Sequence, residues 1–496
     1  MEKIKKNILN YGYVLYLIVS FLLLAAFIFV IDFDVNADII HLFMICGIFI
    51  VLFQIMRKSL SKSLTIEELV FYIVILGCII RIGYSLYNNI YVRTHDFGDY
   101  ENYENAGKGA YLMWLLKRGQ LPDSYAGQYY HAPFSYLASA FGSKLTWPFL
   151  KECNSFVIIS AGKLSPCLAS CGVLFMTPKL CKAMEIPKKT VPIITLLVAA
   201  YPGFFLISGR IGEDAFSCFF AMAEILYTIY WHEKPSIKNT IFLAIMYGLG
   251  VQTSLTCCLP AAFTVIIFLQ HIISRSEKRK QCLSYILLFG IISLPLGLWY
   301  YVRNYVLFKM PFTYVMPQDV GNSLWRGDCS LWTRYKPLDI RNILHSPFAN
   351  PFEDANLFTY MLKSELFGEF TYNVGLLIPY ILLLINLVFS ICAVGYLIFS
   401  VLKKRTEKRY IYFYIILPVY FLFIIYSYWK QPFGCSMDAR YFMILTVLKI
   451  LVFGMFSEKL LLSTEQNKII YLVKKCFMAA IWVFAGLSFA MFCVIS

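Results

Sequence analysis

The chain alternates long apolar runs with shorter polar connections. Each run is close to the roughly 20 residues that an α-helix needs to cross the hydrocarbon core of a bilayer. The pattern therefore predicts an all-α polytopic membrane protein with about 13 transmembrane helices. The predicted helices cover 11–31, 38–56, 69–92, 155–176, 191–209, 215–232, 239–254, 256–272, 283–302, 372–399, 410–428, 440–457 and 469–494.

Lys and Arg concentrate in alternate connections, with few acids between them. Cytoplasmic connections of membrane proteins carry this excess, so the pattern predicts a cytoplasmic N-terminus and a C-terminus on the opposite side. If 239–254 and 256–272 formed one span, every later segment would invert, and the basic run 403–409 would lie outside, which the charge rule disfavours. The basic residues that set this orientation are Lys3, Lys5, Lys6, Arg57, Lys58, Lys62, Lys179, Lys182, Lys188, Lys189, Arg275, Lys278, Arg279, Lys280, Lys403, Lys404, Arg405, Lys408 and Arg409.

Composition narrows the class of protein. Of the 496 residues, 59% are hydrophobic and 15% are charged, whereas soluble domains carry about 25% charged residues. This excludes a soluble enzyme, a disordered chain and a nucleic-acid-binding module, and the net charge of +15 lies largely in the basic connections. The 15 cysteines show no paired spacing and indicate core residues. The first apolar run is too long for a cleaved signal peptide, so we expect a retained span.

Two connections, 93–154 and 303–371, are much longer and fall on the side opposite the basic clusters. Chemistry at a membrane surface needs groups outside the bilayer, and long loops are where such groups collect. We therefore expect the function in these two exoplasmic loops. The chain then divides into two N-terminal helices (1–68), a catalytic membrane core with the first loop (69–302), the second loop (303–371) and C-terminal helices (372–496).

The first loop opens with carboxylates directly after a predicted span, at Asp96, Asp99 and Glu101. A carboxylate held at a helix end beside the membrane suits a general base for a lipid-borne substrate. The same pattern is also typical of solvated loop acids. The next segment, 106–118, places aromatic residues and an arginine on one helix face, which predicts an interfacial helix lying on the bilayer.

Several segments, in order along about 69–457, match a known set of motifs. They are His95-Asp96, Leu121-Pro122, Tyr130-His131-Ala132-Pro133, Ser208-Gly209-Arg210-Ile211-Gly212-Glu213-Asp214, Trp299-Tyr300-Tyr301-Val302-Arg303-Asn304-Tyr305, Leu366-Phe367-Gly368-Glu369-Phe370 and Cys435-Ser436-Met437-Asp438-Ala439-Arg440-Tyr441. The chain thereby resembles the polyprenyl-phosphate-dependent glycosyltransferases of the C-type superfold. This family includes protein O-mannosyltransferases, the lipid A aminoarabinose transferase and bacterial phospholipid-carrier-dependent enzymes.

The resemblance implies the C-type glycosyltransferase fold and inverting transfer of a hexose from a polyprenyl-phosphate donor to a hydroxyl acceptor. It places Asp96 at the position of the catalytic base, with Asp99 and Glu101 as alternative bases. Such a base removes the acceptor proton while the phosphate leaves, through a state comparable to that of glycoside hydrolysis. Relatives of the mannosyltransferase type work without metal, so no cofactor is expected. A divalent cation held by Asp96, Glu213, Asp214 and His131 is the lesser alternative.

Three departures from the family pattern matter. The His-Pro-Pro pattern is His131-Ala132-Pro133 here and loses one rigid proline. The Asn-Asn-Asp triplet is Gly212-Glu213-Asp214, which adds a carboxylate. Where many relatives have Thr-Lys at the tip of a helix pair, this chain has Gln252-Thr253-Ser254. The loss of that cation leaves open how the donor phosphate is held.

The remaining candidates are expected to bind substrate. Arg303 and Arg440 lie at the outer ends of spans, where a guanidinium needs a partner, and the donor phosphate is one candidate. The alternatives for both are snorkelling or an ion pair with Glu369 or Asp438. His131 is another candidate, although a structural role would also explain it. The group Arg210, Glu213 and Asp214 could bind substrate or could instead form a salt-bridged cap. The aromatic candidates, as stacking surfaces for a sugar or isoprene units, are Tyr129, Tyr130, Tyr300 and Tyr301.

The predicted partners are the polyprenyl-phosphate sugar, membrane lipids and an acceptor that is a protein, a wall polymer or a lipid-linked glycan, with no nucleic acid. The predicted location is the cell membrane, with the active site on the extracellular or periplasmic face. Two other functions stay open. One is a cell-envelope polysaccharide polymerase or ligase that uses pyrophosphate-linked donors, and the other is a lipid-linked glycan transporter or flippase without covalent chemistry.

Overall fold

The computed structural model describes residues 12–32, 35–150, 154–274, 279–461 and 468–495. The N-terminal residues Lys3, Lys5 and Lys6, on which the predicted cytoplasmic N-terminus partly rests, lie outside this part of the chain. So do Arg275 and Lys278 of one basic connection. The predicted orientation across the membrane stays a prediction.

The described residues fold mainly into α-helices, and their β pairing is limited to an isolated bridge between Trp325 and Phe433. The first ten helices are α1 (Gly12–Asp32), α2 (Ala37–Leu60), α3 (Ile66–Tyr87), α4 (Lys108–Arg118), α5 (Phe134–Thr146), α6 (Ser155–Ala161), α7 (Leu164–Ala183), α8 (Val191–Ala200), α9 (Pro202–Ser208) and α10 (Asp214–Glu233). The others are α11 (Ile237–Val251), α12 (Ala261–Ser274), α13 (Arg279–Phe308), α14 (Leu331–Tyr335), α15 (Ile340–His345), α16 (Leu357–Phe367), α17 (Leu377–Leu402), α18 (Lys408–Lys430), α19 (Met443–Leu461) and α20 (Lys468–Ala490).

Ten helical segments of the described chain are long and apolar enough to cross a membrane. They are Val14–Ile31, Ala37–Leu60, Ile66–Tyr87, Ser155–Ala183, Leu255–Ser274, Arg279–Phe308, Leu377–Leu402, Lys408–Lys430, Gly434–Leu461 and Lys468–Cys493. The prediction of an all-α polytopic membrane protein is therefore confirmed, and each of these ten segments overlaps a predicted span.

The other three predicted spans are helical but irregular. The segment 191–209 is broken into α8 and α9, which bend by 52° and count as an eleventh span if taken together. The helix α11 is only 15 residues long, and α10 does not belong to the ten apolar segments although it has 20 residues. Most side chains of α10 are buried against other helices. A helix that is covered by protein on most sides does not need a lipid-compatible surface all round, which explains why it carries polar residues.

The break between α8 and α9 has an identifiable cause. Pro202 starts α9 and supplies no backbone N–H to continue α8. The fully buried guanidinium of Arg81, on α3, instead donates to the carbonyl oxygens of Val198 (2.8 Å) and Ala199 (3.1 Å). An arginine that satisfies the last carbonyls of a helix stabilises its end. The two helices therefore stop and restart at a defined point within the span.

The chain forms two compact units, each built from separate stretches of sequence. The first-loop unit comprises Met1–Ala37, Ser85–Met176 and Ile207–Pro317, and it contains α4 and α5 of the first loop. The second-loop unit comprises Asp38–Tyr84, Thr177–Leu206 and Gln318–Ser496, and it contains α14, α15 and α16. The predicted division of the chain into four parts along its sequence stays a prediction.

Segment 106–118 is helical from Lys108 to Arg118, as predicted, but its environment differs from the expectation. Tyr111, Trp114 and Leu115 are buried in the hydrophobic core of the first loop. The expectation that this helix face lies on the bilayer was therefore wrong. An amphipathic pattern shows that one face is covered, and here the protein itself provides the cover.

Candidate active site

Asp96 lies in a turn whose backbone is held by the first residues of α4. Its φ of +55° is in the left-handed region, which Asp tolerates better than most residues. The N–H of Lys108 donates to the Asp96 carbonyl oxygen (2.8 Å), and the N–H of Gly109 donates to that of Phe97 (2.9 Å). A Cβ at Gly107 would lie 2.4 Å from the Phe97 carbonyl oxygen, so this close contact requires glycine. The start of α4 thus holds the Asp96 turn.

The side chain of Asp96 is exposed, and its carboxylate has no hydrogen-bond or ion-pair partner among the described residues. The alternative bases differ from it. The Asp99 carboxylate accepts a hydrogen bond from the N–H of Glu101 (2.9 Å) and so closes a local turn. The Glu101 side chain is exposed. Of the three predicted bases, Asp96 combines the most constrained backbone with an open carboxylate.

Lys108 is a buried residue that the sequence analysis did not single out. Its Nζ lies 3.4 Å from Glu213 Oε1, in an ion pair whose side chains are both largely excluded from solvent. Gly212 precedes Glu213 with a φ of +147°, and a Cβ there would lie 3.0 Å from Lys108 Nζ. Gly212 therefore leaves room for the Lys108 side chain, and Glu213 supplies its counter-charge. A signal was present in the sequence, because Lys108 lies three residues before Tyr111 and seven before Leu115, on the apolar face of the predicted helix.

Glu213 and Asp214, at the start of α10, influence the pKa of Tyr136, a tyrosine of the first loop. Asp214 is buried in the first turn of α10, where the helix dipole favours a carboxylate. Burial raises the pKa of the Tyr136 hydroxyl, and the charges of Glu213 and Asp214 raise it further. Tyr136 therefore stays protonated, as a potential donor close to both acids. Arg210, two residues before Gly212, is also buried.

The tyrosines predicted as stacking surfaces have different roles. Tyr300 donates from its hydroxyl to the Tyr129 carbonyl oxygen (2.6 Å), and Tyr301 donates to that of Val251 (3.0 Å). Both bonds are buried and tie α13 to its neighbours. Tyr130 is half-buried, and its ring stacks on that of His131 with centroids 4.2 Å apart. Of these candidates, Tyr130 and His131 present the ring surface that a sugar could contact.

Arg303 and Gln252 both hold the first loop in place. Arg303 donates to the Pro122 carbonyl oxygen (2.7 Å) and to Asn304 Oδ1 (2.9 Å). The side-chain Nε2 of Gln252 donates to the Gly297 carbonyl oxygen (2.7 Å). The backbone carbonyl oxygen of Gln252 accepts from the N–H of Phe134 (3.1 Å). Gln252 therefore joins the end of α11 to α13 and to the start of α5.

The second-loop unit contains the other predicted site residues. Glu369 accepts a hydrogen bond from the Tyr360 hydroxyl. Asp438 accepts from the backbone N–H of Arg440 (3.0 Å) and forms an ion pair with its Nε (3.3 Å). Arg440 thus makes the ion pair that the sequence indicated as an alternative to phosphate binding. Carboxylate oxygens of Glu369 and Asp438 approach within 4.8 Å, and both acids add to the burial that raises the pKa of Tyr360.

The structure therefore collects the predicted residues into two groups. In the first-loop unit, the backbone N–H of Lys108 donates to the Asp96 carbonyl oxygen, and the side chain of Lys108 pairs with Glu213. Lys108 therefore connects the Asp96 turn with Glu213. In the second-loop unit, Glu369, Asp438 and Arg440 lie together. The pair Glu369 and Asp438 offers carboxylate oxygens of the kind that hard cations prefer.

Comparison with known proteins adds little to this. No protein-family model matches the chain, and no curated protein matches it. Among solved structures, the apo form of the Archaeoglobus fulgidus oligosaccharyltransferase is similar, with a TM-score of 0.48 and 12% sequence identity. The match covers 86% of this chain and 56% of the archaeal chain, so this chain spans just over half of that protein. At such a TM-score and identity, the likeness carries no argument about donor, acceptor or mechanism, and the comparisons assign the chain to no family.

Proposed function

We propose that this chain is a membrane glycosyltransferase of the C-type superfold. It transfers a hexose from a polyprenyl-phosphate donor to a hydroxyl acceptor on the exoplasmic face, with Asp96 as general base. The observation that supports this most is the turn at Asp96, where the backbone is held by α4 while the carboxylate stays exposed and unpartnered among the described residues. The motif resemblance along 69–457 supplies the reaction class.

A general base needs a fixed position and an uncommitted lone pair. An acid that already accepts hydrogen bonds or contacts a cation loses basicity, because those contacts favour its charged form. Asp438 is committed in this way to Arg440, and Glu369 is committed to Tyr360. Asp96 is not, which supports its assignment over the acids of the second-loop unit.

Atoms balance in a single displacement. The acceptor oxygen forms a bond to the anomeric carbon while the bond from that carbon to the donor phosphate oxygen breaks. The acceptor proton passes to the Asp96 carboxylate, and polyprenyl phosphate leaves with the bonding electrons. Attack from the face opposite the leaving group inverts the anomeric configuration, and no redox partner or cofactor is needed. We propose that the reaction needs no cofactor, so transfer should persist in EDTA.

The donor phosphate requires cations. Lys108 is a buried cation at the start of α4, which holds the Asp96 turn, and Arg210 is buried three residues before Glu213, the ion-pair partner of Lys108. We assign the phosphate to them, in place of the lysine that the 252–254 segment lacks. Tyr130 and His131 then provide the ring surface for the sugar. Arg303, Glu369, Asp438 and Arg440 stay proposed substrate-binding residues, and their contacts with Pro122, Tyr360 and each other are compatible with a positioning role.

The test uses the full chain in lipid nanodiscs with synthetic polyprenyl-phosphate hexoses carrying a radiolabel. Asp96→Asn should reduce transfer by about 10²–10⁴-fold, the usual contribution of a general base. Asp99→Asn is the matched control, three residues away in the same loop, and should retain most activity. Unchanged transfer by Asp96→Asn, with a severe loss in Asp99→Asn, would move the base to Asp99.

The donor series separates the other functions. Transfer only from pyrophosphate-linked oligosaccharides would identify a polymerase or ligase. Movement of the labelled lipid between leaflets without any product would identify a flippase. Either result overturns the proposed reaction, whereas transfer from the monophosphate donor in EDTA supports it.

A further inference from the structure

The second loop carries two short helices whose large apolar side chains are exposed. On α14, Leu331 and Trp332 are 64% and 72% exposed. On α15, Ile340 and Leu344 are 62% and 70% exposed and lie one turn apart on the same helix face. Apolar surface of this extent marks a partner or a membrane.

Hydrogen bonds attach α14 to the end of a membrane span. Arg334 Nη2 donates to the Tyr428 carbonyl oxygen (2.6 Å), in the last turns of α18. The Tyr335 hydroxyl donates to the Ile425 carbonyl oxygen (3.4 Å). Between α14 and α18 lies an apolar groove of about 440 Å³, lined by Leu331, Trp332, Tyr335, Ile425 and Trp429.

The second helix is attached to another span end. The Tyr380 hydroxyl, in the first turn of α17, donates to the Leu344 carbonyl oxygen at 2.8 Å. Because α17 and α18 are consecutive spans, α17 starts on the side of the membrane where α18 ends. Both short helices are therefore fixed at the same boundary of the bilayer.

The surroundings of these helices have the composition of a membrane interface. Tyr426 and Trp429 are exposed near the end of α18, as in the aromatic belts of membrane proteins. Leu376 and Leu377 are exposed where α17 begins. Lys430 and Arg341 are exposed beside these apolar residues, where their side chains can reach lipid phosphates.

We propose that α14 and α15 are seated in the bilayer interface, and that the groove between α14 and α18 holds a hydrocarbon chain of a membrane phospholipid. The attachment to two span ends sets their depth at the boundary between headgroups and acyl chains. Burial of the exposed apolar surface in lipid provides the stabilisation. The second loop is thereby held at the membrane surface. This inference does not depend on the proposed reaction.

The test measures the depth of Trp332 in the full chain. The chain has eight Trp, so the Trp332 signal is the difference in fluorescence between the unchanged protein and Trp332→Phe, in nanodiscs of phosphatidylcholine. Chains brominated near the headgroup should remove most of this difference signal, and aqueous iodide should leave most of it. The matched control is Trp325→Phe in the same loop, because Trp325 packs against Phe433 with ring centroids 5.1 Å apart and should respond weakly to brominated lipid.

Quenching by iodide but not by brominated chains would place Trp332 in water and overturn the proposal. A Trp332 signal that responds to protein concentration but not to lipid bromination would indicate a second copy of the chain and would also overturn it. A phospholipid with a photoreactive acyl chain provides an independent reading on the unchanged protein. Its cross-links should map to the peptide around 331–335, and their absence there, with labelling elsewhere, would contradict the groove.

Discussion

Each unit of the molecule contains a Lys–Glu pair that is largely excluded from solvent, and the two pairs are built differently. In the second-loop unit, Lys449 Nζ contacts Glu365 Oε1 (2.5 Å), the Tyr201 hydroxyl (3.0 Å) and Asn386 Oδ1 (3.0 Å). The Glu365 carboxylate also accepts from Asn386 Nδ2 (2.7 Å). In the first-loop unit, Lys108 Nζ has one carboxylate contact among the described residues, at 3.4 Å from Glu213.

An ammonium group has three donors. In the Lys449 cluster they are fully used, so the pair is structural: it fastens α16 of the second loop to the spans α17 and α19, where unpaired charge is costly. In the Lys108 pair, capacity remains for a further acceptor, and the pair lies beside the open Asp96 turn. The comparison teaches that an ammonium whose donors are all used stabilises the packing around it, whereas Lys108 keeps donor capacity beside an exposed acid, which is why the proposed function assigns the donor phosphate to it.

The largest effect is expected for Lys449→Met, which leaves Glu365 buried without its cation. Breaking a buried pair from one side costs about 3–5 kcal/mol, and thermal unfolding in nanodiscs should show a large drop in Tm. Lys459→Met, at an exposed position on the same helix, is the control and should change little. Adding Glu365→Gln should recover part of the loss. A Tm equal to that of the control would show that the cluster is not structural.

Lys108→Met should cost less stability than Lys449→Met, near the lower end of the roughly 3–5 kcal/mol for breaking a buried pair, because Lys108 Nζ makes a single contact in the described chain, at 3.4 Å. It should remove most of the transfer activity. Because the proposal assigns Lys108 to the donor phosphate, KM for the donor should rise while binding of the acceptor is unaffected. The exposed residue Lys117, on the same helix, provides the control Lys117→Met. A large stability loss with unchanged donor KM would make this pair equivalent to the Lys449 pair and would remove the contrast.

Gly212→Ala tests the space that Lys108 occupies. The φ of +147° is unfavourable for any residue with a Cβ, and such strain costs about 1–3 kcal/mol. We expect lower stability and displacement of Glu213, measured as reduced Tm and reduced transfer. Gly290→Ala, in α13, is the control because its Cβ would meet other atoms only at 3.9 Å. Equal behaviour of the two variants would show that the Gly212 turn is not constrained.

The smallest effect is expected for Tyr136→Phe, whose hydroxyl is buried without a hydrogen bond in the described chain. Loss of this group should change the free energy of unfolding at pH 7 by less than about 1 kcal/mol, so Tm should change little. Because the folded pKa of Tyr136 is raised, its contribution to stability is present below its unfolded pKa, about 10, and is lost as pH rises above it. Tyr136→Phe should therefore soften the alkaline fall in Tm. An unchanged alkaline profile would contradict the raised pKa.

Much of the fold was predictable from local pattern. Lipid allows only helices with satisfied backbones to cross it, so apolar runs of about 20 residues identify spans without tertiary information. Positions such as α13 and α17 were predicted in this way. The capping of the break before Pro202 was not, because the bonds from Arg81 to Val198 and Ala199 connect residues more than 100 positions apart.

The sequence by itself determined that this is a polytopic helical membrane protein with two long loops, and it identified Asp96 as a candidate base. Only the tertiary structure decided that Lys108 meets Glu213, that Gln252 serves as a connector, and that Arg440 is committed to Asp438. The physical reason is that hydrophobic periodicity reports which face of a helix is covered, but not which element covers it. Pairing between distant residues depends on how the helices pack, and that packing determines which charged side chains are saturated and which keep capacity for a substrate.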